Sequence, residues 1–276
     1  MRPIAVVGNL AIDVVEGGPE RVGGGAFHAG RALRLLHTPA RLVTKCSTAD
    51  RARLLPSVAA LGLPVSSHGG DSTVAFGMHY DGDVRTMEVL ALGDPWTPEE
   101  ASGWVKDALA RVEWVHIAPL LRSDFPAETL RELARGRRLS YDAQGLVRPA
   151  RTGPLVLDAD FDPEVLRHVS VLKLADDEAA ALFGGEPSKA DLEGLGVPEV
   201  TVTLGSRGVL VFSNGRLEHV AAKPLTGAVD PTGAGDAFAA AYISARNGGH
   251  APVSSARRAA ALVAQLITVP DEADES

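Results

Sequence analysis

Apolar and polar positions follow two rhythms along this chain. The runs PIAVVG (3–8), ARLVTKC (40–46), WVHIAP (114–119), RLSYDA (138–143), VSVLKLA (169–175) and VTVTLG (200–205) are short and largely apolar. Runs of that length and composition predict strands buried on both faces. Between them lie longer stretches with helical spacing. Residues 25–37 carry Phe27, Leu33 and Leu36 on one side, and residues 50–61 carry Leu54, Leu55, Val58 and Leu61. Similar stretches lie near 97–111, 125–135, 176–183, 234–246 and 252–268. Alternating strand and helix predicts an α/β fold with a mainly parallel sheet covered by helices. In such sheets ligands gather at the carboxyl ends of the strands.

Two segments break the rhythm. Residues 72–92 (STVAFGMHYDGDVRTMEVLAL) read as two extended runs around Asp81-Gly82, a hairpin turn signal. Residues 12–22 are also extended, with a Gly17-Gly18-Pro19 turn. These segments predict either a small separate sheet that lids a cleft or an antiparallel edge of the main sheet. No repeat or linker divides the chain, so residues 1–276 are expected to form one domain. The acidic tail after Pro270 is expected to fray.

Composition narrows the class. The chain has 276 residues, 45% apolar and 22% charged, within the ordinary range for a globular protein. Its net charge of −8 argues against nonspecific binding to nucleic acid or an anionic membrane. A single cysteine, Cys46, excludes an internal disulfide and a thiolate zinc cluster. No run reaches the roughly 18 apolar residues of a membrane span, and the N-terminus reads as a first strand. The expectation is a soluble, cytoplasmic protein.

The candidate chemistry lies in VDPTGAGDAFAAAY (229–242). Gly233, Ala234 and Gly235 leave their amides open to a close ligand, and the helix that follows adds its positive N-terminal end. Asp236 stands at the start of that helix. Main-chain donors and an acid together suit phosphoryl transfer, which depends on positioning and electrostatics. Spacing alone also admits an architectural reading, in which the acid merely complements the helix dipole. The phosphate-loop pattern GxxxxGK[ST] is absent, as is GxGxxG after the first strand.

DPTGAGDAF resembles the C-terminal signature of the PfkB (ribokinase) family of carbohydrate kinases. The similarity runs along most of the chain: GNLAIDVV resembles the family's opening strand, GGGAFHAGRALRLL its glycine pair and helix, VLKLADDEAAALFGG the segment before the nucleotide site, and VTVTLGSRGVLVF its TxGxxG loop. The resemblance implies a ribokinase-like three-layer α/β/α sandwich with a small β lid, and ATP and Mg²⁺ as cofactors. It implies Asp236 as catalytic base and the amides of Gly233, Ala234 and Gly235 as an anion hole. Asp13, Gly24 and Gly25 would line the acceptor pocket, and Thr203, Gly205 and Gly208 the nucleotide loop. Glu178 matches the glutamate of the NxxE motif, linked to metal and phosphate. Two positions depart from the pattern: the asparagine of NxxE is Ala175, and the asparagine after the glycine pair is His28, which either faces the acceptor or packs in the helix.

GGGAFH, VTKCSTAD, GDPWT, VHIAPL and YDAQGLVR together resemble a branch with kinases of inositol and related polyols. That places Asp142, Gln144 and Arg148 on the acceptor or lid side. A strand-end turn for DAQG and a surface salt bridge for Arg148 are the alternatives. The expected partner is a polyhydroxylated small molecule, with neither nucleic acid nor membrane. A homodimer through the lid is a further expectation, with Val74, Phe76, Met78, Val84 and Met87 as its apolar positions. A nucleoside kinase would need stacking groups, and Phe76 and Tyr80 are the main lid aromatics. A phosphate-bearing acceptor would need cations, with Lys45, Arg85, Arg122 and Arg148 as candidates. A non-catalytic ligand sensor on the same fold is the reading from another class.

Overall fold

A computed structural model describes residues 2–16, 18–81, 84–222 and 233–267. In chain order the elements are β1 (Ile4–Asn9), β2 (Ala11–Val15), β3 (Glu20–Gly23), α1 (Gly25–Leu35), β4 (Ala40–Ser47), α2 (Arg51–Ala59), β5 (Val65–Gly70), β6 (Val74–Asp81) and β7 (Val84–Ala91). Then come α3 (Pro98–Ser102), α4 (Trp104–Ala108), β8 (Trp114–Ile117), α5 (Ala127–Leu133), β9 (Arg138–Asp142), α6 (Gln144–Val147) and β10 (Gly153–Pro154). The chain continues with β11 (Val171–Ala175), α7 (Asp176–Phe183), α8 (Lys189–Gly194), β12 (Glu199–Thr203), β13 (Val209–Ser213), β14 (Arg216–Val220), α9 (Ala234–Asn247) and α10 (Pro252–Ile267).

The main sheet has the order β14-β13-β12-β11-β9-β8-β1-β4-β5. It is parallel from β12 to β5, and β13 and β14 close one edge as antiparallel strands. Period-two alternation sorts its side chains. Ala5, Val7, Val115, Ile117, Leu139, Leu172 and Leu174 pack on one face with α3, α4, α5 and α7. Ile4, Val6, Leu42 and Val171 pack on the other with α1, α9 and α10. This makes three layers, as the alternation of runs predicts. The segments 12–22 and 72–92 belong to a second sheet of order β10-β7-β6-β2-β3, so the edge-of-main-sheet alternative does not hold. Gly82, in the predicted hairpin turn, and the tail after Pro270 lie outside the described residues. Among those residues no helix is long and apolar enough to cross a membrane.

Some local readings differ. The single helix expected over 97–111 is two, broken at Gly103, whose ψ of −117° takes the chain out of helical geometry. α3 begins with a capping box: the Thr97 hydroxyl accepts from the Glu100 amide at 3.2 Å, and Glu100 accepts from the Thr97 amide at 2.9 Å. Strand β5, with sequence VSSHGG, has too few apolar residues to announce itself. It is an edge strand held by its ladder to β4.

After β8 the chain turns back on Asp124, which is buried and accepts from the Leu120 amide at 2.8 Å. Its Oδ1 has no hydrogen-bond partner among the described residues. Burial pushes its carboxyl up to about 7, against the pull of the Leu120 and Leu121 amides and Lys45. His116, buried in β8, moves the other way: burial lowers it to about 4. The two groups oppose each other in acid. The folded state holds the Asp124 proton that the unfolded chain releases above about 4, so this group favours folding at low pH and loses that effect as pH rises toward 7. The unfolded state binds the His116 proton below about 6.5, so that group disfavours folding as pH falls. Asp124→Asn keeps an acceptor for the Leu120 amide and removes one of the opposed slopes. Urea titrations between pH 5 and 7 should then show stability rising with pH more steeply than in the parent, by up to about 1.4 kcal/mol per pH unit. Parallel curves for the two proteins would refute the buried-acid account.

Candidate active site

The carboxyl end of β11 and the turn after β9 converge with β2 and the starts of α1 and α9 on a cavity of about 220 Å³. Its walls include Asp13, Gly24, Gly25, His28, Gln144, Arg148, Glu178, Gly233, Ala234, Gly235 and Asp236. Most of the residues proposed from sequence therefore meet at one place. Phe76, Met78 and Met87 of the second sheet and Leu120 add an apolar side to it.

The approach of the backbone explains the glycines. Gly233, which precedes α9, has φ +75°, in the left-handed region. A Cβ there would also stand 2.8 Å from His28 Nδ1. A Cβ on Gly25 would stand 2.7 Å from Asp236 Oδ1, and one on Gly235 2.9 Å from Lys173 Nζ. Gly23 leaves its side-chain space to the Asp13 carboxylate. The small residues of two distant segments are thus the counterparts of four polar side chains. His28 is half-buried and on the cavity wall.

Beneath the turn lies a buried charge cluster. Lys173 points from β11 between Asp142 of β9, at 3.3 Å, and Glu178 of α7, at 3.7 Å. Lys173 is 3% exposed and Asp142 1%. Register explains the meeting, because Lys173 pairs with Asp142 on one side and Thr201 on the other, all facing α9. Burial disfavours the Lys173 ammonium, but Asp142, Glu178 and Asp236 outweigh it and hold the group above the usual lysine range. Burial raises the Glu178 carboxyl, against the pull of Lys173. Asp236 is raised as well, first by burial and then by Asp142, while His28, Lys173 and Arg148 pull it down.

Lys173 was not singled out in the sequence. The available signal was a lone charge inside the apolar run VLKLA, since buried lysines need partners. Asp142 lies under the cavity rather than on its wall, and its Oδ1 accepts from the Gln144 amide at 3.2 Å. Arg148 is half-buried on the cavity wall, and its Nε has no hydrogen-bond partner among the described residues. Glu178 Oε2 accepts from the Ala175 amide at 2.7 Å, so this carboxylate is engaged by the protein.

The loop Thr203, Gly205 and Gly208 lies outside the cavity wall, next to it through the pairing of Thr203 with Ala175. The Thr203 hydroxyl donates to the Leu174 carbonyl at 3.2 Å. Residues 229–232 of the signature lie outside the described residues. The cations suggested for a phosphate-bearing acceptor are mostly committed. Lys45 is buried against Glu100 at 2.9 Å and the Pro95 carbonyl at 2.8 Å. Arg122 pairs with Asp158 and donates to the Leu146 carbonyl. The side chains of Arg85 and Tyr80 lie outside the described residues. Cys46 is buried as a small apolar residue, and burial raises its thiol.

Residues 20–274 match the pfkB family of carbohydrate kinases, and the chain belongs to that family. It is a phosphotransferase with an alcohol group as acceptor. A cytidine kinase of Thermococcus kodakarensis is 28% identical over 263 residues, covering 88% of each chain. A ribokinase of Bacillus subtilis is 29% identical over 185 residues, 66% of this chain and 58% of that one. Among solved structures, a pyrophosphate-dependent kinase of the ribokinase family, complexed with a pyrophosphate analogue and myo-inositol, matches with a TM-score of 0.79 at 24% identity. The match covers 97% of this chain and 96% of that one. Arabidopsis thaliana ribokinase, complexed with ribose and ATP, matches with a TM-score of 0.74 at 21% identity over 98% and 94% of the chains. These structural likenesses establish the ribokinase-like fold.

The contact between Gly25 and Asp236 gives a test that removes no polar group. Gly25→Ala puts a methyl group against the Asp236 carboxylate and displaces it. Turnover should fall by roughly 10²-fold, the typical effect of about 1 Å of misplacement, while thermal unfolding stays cooperative. Parent-like turnover would show that Asp236 tolerates displacement and does not depend on this contact.

Proposed function

We propose that the chain transfers the terminal phosphoryl group of ATP to a hydroxyl of a cyclitol or sugar. The observation that carries this reading is the buried Asp236 carboxylate at the start of α9, on the cavity wall beside the open turn Gly233–Gly235. In the reaction the acceptor oxygen bonds to phosphorus, the bridging oxygen leaves with the nucleoside diphosphate, and the acceptor proton passes to Asp236. Main-chain amides at residues 233–235 and the positive end of α9 face the charge that develops on the phosphoryl oxygens. Asp13, His28, Gln144 and Arg148 supply hydrogen bonds that orient several hydroxyls at once.

Magnesium carried by a nucleotide needs only one or two protein carboxylates. Asp177 and Glu178, in the first turn of α7 on the cavity wall, have that donor chemistry. Among the described residues no group of three or more His, Cys, Asp or Glu side chains forms a protein-only metal site. When bound, the metal would neutralise part of the phosphate charge. The loop of Thr203, Gly205 and Gly208 is the proposed nucleotide side.

The chain acts as one kinase unit in this reading, with the second sheet as its lid. Phe76, Met78 and Met87 would close over the acceptor and exclude water, which otherwise competes as a phosphoryl acceptor. A homodimer through this sheet would bury Leu90 and Leu92, both exposed in the single chain. The cytoplasm, where ATP is supplied, is the location that suits the activity. The cytidine kinase relative favours a nucleoside acceptor as a second reading. Against it stand the small cavity and the scarcity of aromatic rings on its walls, where Phe76 is the lid ring present. A non-catalytic sensor would have no need of an acid buried at this turn.

Asp236→Asn tests the assignment. Nucleotide affinity should stay near the parent value, while kcat falls by about 10²–10⁴-fold, the usual contribution of general base catalysis. The raised carboxyl also fixes the pH behaviour. A base works only when deprotonated, so kcat/KM of the parent should climb with pH through a value above the ordinary aspartate range, and the variant should lack that limb. A coupled ADP-release screen should show turnover with cyclitols or hexoses ahead of nucleosides. Undiminished turnover in the variant would remove Asp236 from the chemistry, and a nucleoside preference would move the acceptor to the second reading.

A further inference from the structure

The opposite end of the main sheet carries a second concavity. Arg138 opens β9 there, four residues before Asp142, which is about 13 Å along an extended strand. The groove has a volume of about 890 Å³ and is formed by the chain before β1, the turn into β8 and the turn into β9. Four guanidinium groups line it, those of Arg2, Arg111, Arg137 and Arg138, with Glu113 as the one acid among the described lining residues.

That acid is shared. Glu113 lies 3.3 Å from Arg2 and 4.0 Å from Arg138. Arg138 is also held over the ring of buried Trp114, 5.4 Å from its centroid, which fixes where the guanidinium stands. Arg137 is half-buried, and its contacts among the described residues are to the carbonyls of Leu133 at 3.4 Å and Arg135 at 3.5 Å. Burial lowers its affinity for its proton with no carboxylate to offset the effect. The Arg111 side chain has no hydrogen bond or ion pair among the described residues. Its backbone has φ +65°, a conformation that a long side chain rarely adopts. Backbone of that kind tends to persist where it presents a group for use.

The chemistry of the missing partner follows from these charges. Guanidinium forks match phosphate oxygens two at a time. Four cations against one shared carboxylate call for more than a single negative charge. The volume is within the range of sites for nucleotide-sized molecules. A long nucleic acid strand would run out of the groove onto a chain of net charge −8. We propose that this groove binds a small molecule carrying two or more phosphate groups, at a site separate from the reaction cavity. The proposal does not depend on which acceptor the kinase uses.

Inorganic tripolyphosphate is the probe, titrated calorimetrically into the full chain at low ionic strength. Arg111→Gly with Arg137→Gln removes two of the cations, and glycine suits the backbone at 111. The parent should show two binding events, one in the groove and one in the reaction cavity. The double variant should keep the second and lose about a hundredfold in affinity at the first, the combined effect of two charge-assisted bonds. Arg2→Gln changes an exposed side chain, keeps the fold secure and should weaken the same event severalfold. Equal stoichiometry and affinity in parent and variants would overturn the proposal. So would an equal loss in the control Arg216→Gln, which lies outside the groove. Tighter binding of a single-stranded RNA oligomer through the same arginines would replace the small molecule with a polymer.

Discussion

One ammonium group inside the protein sets the conditions for the rest of the site. Lys173 is enclosed by Asp142, Glu178 and Asp236, and none of the four reaches bulk water freely. Buried charge is tolerated only when it is paired and hydrogen-bonded, and breaking one such pair typically costs about 3–5 kcal/mol. The three carboxylates and the ammonium therefore specify one another's positions. Because Asp142 and Lys173 are ladder neighbours on β9 and β11, the cluster is anchored to the stiffest part of the molecule. Gly235 has no side chain because Lys173 Nζ occupies that space, and Gly25 has none because Asp236 does. The glycine-rich character of two segments far apart in sequence is thus a consequence of the buried charges as much as of any ligand.

The same cluster shows which parts of the molecule were readable in advance. The strand runs were legible because a doubly covered parallel sheet demands apolar residues on both faces, as in IAVVG of β1. The start of α9 was legible because small residues and an acid suit a helix N-terminus, while the choice between an architectural and a chemical role rested on the resemblance of DPTGAGDAF to a family signature. Lys173 was not, because VLKLA scores as a strand whatever its third residue does, and only pairing across strands reveals what the lysine meets. The same limit applies to Lys45, which reads as a free cation in ARLVTKC and is neutralised by Glu100 from α3. Residues 65–70 and 189–194 were missed for a different reason. Each is short and polar, and each is held by neighbours or caps rather than by its own apolar pattern.

The cavity has a polar and an apolar side. Its polar groups come from β11 of the main sheet, from α1, α6, α7 and α9, and from Asp13 on β2 of the second sheet. Its apolar side comes from Phe76, Met78 and Met87 on β6 and β7. The polar side fixes the reacting groups, while the thioethers and one ring adapt to the ligand's less polar face. In the proposed reaction this division would suit a ring that carries hydroxyls around its rim and C–H groups on its faces.

The architectural account of Asp236, as an acid that complements a helix dipole, leaves its burial without a reason. Such a residue gains roughly 0.3–1 kcal/mol at an exposed helix start and remains ionised at little cost. Asp236 is instead 9% exposed, and burial raises its pKa against the opposing pull of its neighbours. The chain holds the acid against its own solvation, facing a cavity and beside a turn whose first residue needs a left-handed backbone. That combination is costly for folding and useful for a proton acceptor, because a carboxyl raised toward neutrality is a stronger base when ionised.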